Sequence, residues 1–91
     1  MAKEKPLERK IKILVERKGG QCIKLVSMFF TGLPDRMVLM PGGRVYFAEM
    51  KTTGEDLSPR QKLVRALLQK LGFSVYKIDS EETLKNFIDE I

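Results

Sequence analysis

The stretch Arg36-Met37-Val38-Leu39-Met40-Pro41-Gly42-Gly43-Arg44-Val45-Tyr46-Phe47-Ala48-Glu49-Met50-Lys51 decides the fold. Pro41-Gly42-Gly43 is a turn signal between two largely apolar runs, so the segment reads as a β-hairpin with strands at 36–40 and 44–51. The second strand is apolar on both faces through Ala48, the mark of a central strand covered on both sides. With a three-residue loop, Met40 faces Arg44 and Asp35 falls opposite Glu49, with side chains on one face ~5 Å apart. A four-residue loop would put the two carboxylates on opposite faces.

Outward from the hairpin the chain reads as helix, three strands, helix, strand, helix. A first helix starts near Pro6, repeats Leu7, Ile11, Leu14 and Val15 at helical spacing, and stops at Gly19-Gly20. Residues 21–26 alternate weakly and read as a strand, followed by an irregular stretch at 27–34 and, past the hairpin, a polar loop at 52–57. Ser58 as N-cap and Pro59 at the first helical position open the second helix, which carries Leu63, Leu67, Leu68 and Leu71 and ends at Gly72. Residues 73–78 form a short strand. Asp79-Ser80-Glu81-Glu82 resembles a further capping box and starts a last helix through Ile91. The expectation is a single α/β domain over residues 1–91, with a mixed sheet flanked by helices.

Seventeen Lys and Arg against twelve Asp and Glu leave a net charge of +5, the balance of a domain with a polyanionic partner or of ordinary solubilising charge. Ninety-one residues make a small core, for which dimerisation would hide more surface. With no histidine, there is no Ser-His-Asp or Cys-His triad and no His-dependent metal site. The single cysteine, Cys22, excludes an internal disulfide and fits a reducing cytosol. The first five residues lead into a charged stretch rather than the apolar segment of a signal peptide.

Two carboxylates as close as Asp35 and Glu49 repel, and one takes up a proton unless a cation intervenes. Mg²⁺ suits such a two-carboxylate site with several waters. Lys51 lies on the same strand face as Glu49. Glu8 sits at the edge of the first helix's apolar stripe, either as a solvated partner of Lys12 or as a third carboxylate reaching the sheet. Gln61, three residues after Ser58, reads either as the capping-box partner of Ser58 or as an amide serving the site.

Gly32-Leu33-Pro34-Asp35-Arg36, Phe47-Ala48-Glu49-Met50-Lys51 and Leu57-Ser58-Pro59-Arg60-Gln61 resemble, in order, the three motifs of the VRR-NUC nucleases of the PD-(D/E)xK superfamily. The resemblance runs from Glu8 to about Asp79. It implies a restriction-endonuclease-like core of order αβββαβ, here with a C-terminal helix added. It implies that Asp35, Glu49 and the Met50 backbone carbonyl bind Mg²⁺, with Mn²⁺ substituting. It further implies that Lys51 positions or deprotonates the attacking water, that Glu8 completes the acidic cluster, and that Gln61 holds the geometry or the water.

Small standalone members resemble phage and bacterial enzymes that act as homodimers on branched DNA, including four-way (Holliday) junctions. The expected setting is therefore intracellular, in a bacterium or a phage-infected host, with a helicase or other replication or recombination protein as a possible partner. Candidate DNA contacts are Lys24, Arg36, Arg44, Arg60, Lys62 and Arg65. Phe29 and Phe30 read as packing residues or as a wedge for a junction. The alternatives are nicking or exonuclease activity on other DNA structures, a non-catalytic DNA-binding subunit, and a basic module for a protein partner.

Overall fold

The computed structural model describes residues 6–91, so the reading of the first five residues lies outside it. Helix α1 (Pro6–Arg17) buries Ile11 and Val15 on one stripe and turns its basic residues outward. Strand β1 (Gln21–Lys24) pairs antiparallel with β2 (Arg36–Met40), which pairs antiparallel with β3 (Arg44–Met50). Helix α2 (Pro59–Lys70) then crosses over to β4 (Ser74–Ile78), which lies parallel to β3, and α3 (Glu81–Glu90) closes the chain. The sheet order is β1-β2-β3-β4, so the segment expected to be central is an interior strand.

The hairpin has the three-residue loop. Met40 pairs with Arg44 and Arg36 with Ala48, and one more step along the ladder brings Asp35 opposite Glu49. Gly42 and Gly43 both have positive φ, 83° and 76°, a conformation that any side chain would strain and glycine adopts freely.

Two local expectations change. Strand β1 stops at Lys24 instead of Val26. Leu25 still donates to the Asp35 carbonyl at 2.8 Å, the bond that closes the ladder. At α3 the N-cap is Ser80 with Thr83 as its reciprocal partner, displaced by one residue from the Asp79–Glu82 pair. Asp79 is engaged elsewhere, accepting from Gly54 N–H at 3.3 Å, while the extended backbone of Ser80 suits a cap.

Side chains alternate along the strands, so Val38, Met40, Ala48 and Ile78 share one face. Against them pack Ile11 and Val15 of α1 and Leu84, Phe87 and Ile91 from α3 and its end, forming the main core. Phe87 sits edge-on to Tyr46 and near Tyr76, with ring centroids 6.3 and 4.8 Å away. The other face is covered by α2 around Phe47, Leu57 and Val64, with Phe73 edge-on to Phe47 at 5.5 Å. Among the described residues no helix is long and apolar enough to cross a membrane.

Candidate active site

The site is built around the end of β3, where strand direction sends Glu49 and Lys51 to the α2 face and Met50 to the α1 face. Glu49 is only 5% exposed, and its Oε1 accepts a 3.0 Å hydrogen bond from Gln61 Nε2. Gln61 also works as the capping-box residue: its Oε1 accepts from Ser58 N–H at 2.9 Å, while Ser58 Oγ accepts from Gln61 N–H at 3.1 Å. Gln61 is the capping-box partner and also touches Glu49, by opposite ends of one carboxamide.

Asp35 reaches across from the start of β2, where its Oδ1 accepts a 3.1 Å hydrogen bond from Met50 N–H. In an extended strand a residue's N–H and C=O lie on the same edge, so this bond also turns the Met50 carbonyl toward Asp35. Burial, and then the neighbouring Asp35 carboxylate, push Glu49 up to about 7, with Lys51 and Arg36 pulling the other way. Burial also raises Asp35 above its ordinary value, offset in part by the Met50 amide and the Arg36 guanidinium.

Glu8 and Arg36 lie on the α1 side. Arg36 is 5% exposed and its guanidinium stands 3.6 Å from Glu8 Oε1 and 3.7 Å from Asp35 Oδ2, donating to the Asp35 carbonyl at 3.1 Å. The expectation that Arg36 contacts a phosphate is corrected: its position on the ladder, beside Ala48, turns it inward beneath α1. Among the described residues, no three acidic or thiol side chains converge as a ready-made metal site. Glu8 faces Arg36, and with Met50 and Lys51 it lines a cleft of about 360 Å³ together with Leu7, Thr52 and Thr53.

The other basic candidates separate by position. Arg60, Lys62 and Arg65 lie on the first two turns of α2, beside Gln61, and Lys24 pairs with Arg36 at the same end of the sheet. Lys62 is held by Asp56 at 2.8 Å, and Arg60 Nε donates to the Thr31 carbonyl at 3.1 Å. Gly32 is what admits that contact: a Cβ there would lie 2.8 Å from the Arg60 carbonyl oxygen. Arg44 is not brought to the site; it stands at the hairpin end of β3, roughly 17 Å along the strand from Glu49.

Two contributors escaped the sequence reading. Lys77 pairs with Glu49 across the parallel ladder and donates to the Glu55 carbonyl at 3.2 Å. Asp79 ties down the same loop through Gly54 N–H, and its carbonyl accepts from Thr53 Oγ1 at 2.9 Å. The signal for both was the β–α–β passage, which sets β4 beside β3, but the register across that crossover is not written in either strand.

A mixed sheet of this topology, with Asp35, Glu49 and Lys51 gathered at the end of one interior strand, defines a restriction-endonuclease-like nuclease fold. No family model matches the sequence. The chain is 35% identical over 82 residues to a protein of Acyrthosiphon pisum secondary endosymbiont phage 1 named "Putative nuclease p44", covering 90% of this chain and 88% of that one. It is also similar to a solved VRR_NUC domain, with a TM-score of 0.85 and 26% identity over 91% of this chain and 90% of the other. The chain belongs to the VRR-NUC family of nucleases.

Proposed function

We propose that the protein is a metal-dependent, structure-specific DNA endonuclease that hydrolyses phosphodiester bonds in branched DNA such as four-way junctions, acting as a homodimer. The observation that carries this reading is the juxtaposition of half-buried Asp35 with buried Glu49 at the end of β3, where burial raises both carboxyls above their ordinary values. A hard divalent ion relieves that conflict, and two carboxylates with one carbonyl are the oxygen donors that Mg²⁺ or Mn²⁺ takes. Asp35, Glu49 and the Met50 carbonyl would hold it; when bound, such an ion polarises the phosphate and acidifies a water.

The remaining steps belong to the chain itself. Gln61 fixes the rotamer of Glu49 through the 3.0 Å bond, and the Met50 amide fixes Asp35. Lys51 presents an ammonium from the same face as Glu49, where negative charge develops on the phosphate oxygens. Arg60, Lys62, Arg65 and Lys24 flank that end of the sheet and supply backbone contacts that carry no sequence preference.

The dimer reading is supported by what α2 leaves uncovered. Leu63, Leu67 and Leu71, at helical spacing, are 60, 46 and 65% exposed, and Phe30 lines a shallow groove with Leu63 and Leu67. An apolar stripe of this kind on a small domain marks an interaction surface. Helix α2 also carries Gln61, so pairing two copies through α2 would join two active sites in one twofold assembly, as symmetric cutting of a junction requires. Leu67→Glu is expected to shift the sedimenting species from two chains to one; a mass that stays at two chains would place the interface elsewhere.

The deciding experiment is cleavage of a labelled four-way junction beside linear duplex and single strand, with Mg²⁺, Mn²⁺ or EDTA. Metal-dependent junction cutting that falls ~10²–10³-fold in Lys51→Ala is the expected result. Junction binding without cutting under any metal would overturn it in favour of a non-catalytic DNA-binding subunit.

A further inference from the structure

Arg36 is an unusual neighbour for an acidic cluster. A guanidinium 5% exposed must be paired to be tolerated, and its ionic partners are Glu8 at 3.6 Å and Asp35 at 3.7 Å. It is also tethered through the Asp35 carbonyl at 3.1 Å, which holds the planar head in place. Glu8 reaches the sheet as the sequence allows, but it meets a cation already supplied by the chain. The absence of any three converging acidic groups among the described residues accords with this arrangement.

We infer that Arg36 is a positioning residue that withdraws Glu8 from the metal-binding set and makes this a one-ion site. It rests on the proposed function, since it presumes an ion on Asp35 and Glu49. Glu8 then acts through Arg36: it anchors the guanidinium, which in turn holds the second oxygen of Asp35 while Oδ1 takes the Met50 amide. A second divalent ion between Glu8 and Asp35 would have to displace a fixed positive charge already paired with both.

The test is Mn²⁺ titration of the 91-residue chain without DNA, reading free Mn²⁺ by electron paramagnetic resonance. Wild type is expected to bind one ion per chain. Glu8→Gln should bind one ion with affinity within about threefold of wild type, because Glu8 is not a ligand. Asp35→Asn should weaken binding at least ~10-fold. Arg36→Gln, where circular dichroism finds it folded, should gain a second ion that Arg36→Gln/Glu8→Gln loses again.

Two bound ions in wild type, or a loss in Glu8→Gln as large as that in Asp35→Asn, would overturn the inference and leave the metal reading standing. A folded Arg36→Gln that still binds one ion would also overturn it. Unchanged Mn²⁺ binding in both Asp35→Asn and Glu49→Gln would instead sink the metal reading. If Arg36→Gln fails to fold, the Glu8→Gln and Asp35→Asn comparison decides by itself.

Discussion

The two faces of the sheet are finished to different degrees. The α1/α3 face is closed: Val38, Ala48, Ile78 and Phe87 are fully buried, and the aromatic rings of Tyr46, Tyr76 and Phe87 interlock. The α2 face is half finished, with one helix, buried through its own Val64, over Phe47, and an apolar stripe on that helix turned to solvent. It also carries Glu49, a carboxylate that burial makes unfavourable to ionise. The closed packing lies on one side, and the candidate site and the open surface on the other.

The sharpest contrast comes from one substitution on each face. Phe87→Ala, on the closed face, is expected to cost ~3–5 kcal/mol of unfolding free energy by denaturant titration, while activity per folded molecule is kept. Glu49→Gln, on the open face, is expected to do the reverse: junction cutting is lost, and the metal-free protein at pH 8 becomes more stable. A Phe87→Ala variant that melts like wild type would break the comparison.

The second prediction follows from the sign of the Glu49 shift. Its carboxyl moves from 4.5 to about 7 in the fold, so between those values the folded state holds a proton that the unfolded chain has released. The metal-free protein therefore loses stability as pH rises from about 4.5 to 7, on the order of 3 kcal/mol in total, and levels off above. Chemical denaturation at stepped pH measures the slope, which Glu49→Gln should flatten. Metal affinity should rise over the same interval, because binding at lower pH must expel that proton.

The smallest effect compares the two helix caps. Ser80→Ala and Ser58→Ala each remove an N-cap hydroxyl and should each cost ~1 kcal/mol. Only Ser58→Ala should also slow cleavage, because its partner Gln61 is the residue that holds Glu49. Equal activities for the two variants would mean that the cap and the site are independent.

Most of the fold was legible because its signals are local. Pro41-Gly42-Gly43 marked the turn, and a three-residue loop, which the register shows, puts Asp35 opposite Glu49; Ser58-Pro59 set the start of α2. What was missed depends on groups distant in sequence. Arg36 looked like any basic residue beside a motif, and only the covering by α1 and the meeting with Glu8 show why it faces inward. Lys77 came opposite Glu49 through a crossover whose register is set by packing. Metal occupancy, DNA structure and partner copies leave no local mark of this kind.

The carboxamide of Gln61 has one end on the backbone of α2 and the other on Glu49. Turning it over would set its oxygen against a carboxylate and its NH₂ against an N–H, so its orientation is fixed. That makes its two NH₂ protons a resident spectroscopic reporter. In an amide-detected NMR spectrum they should be well separated and slow to exchange. They would register the state of Glu49 without any label placed near the site, and the Ser58 amide would register whether the helix end moves with it.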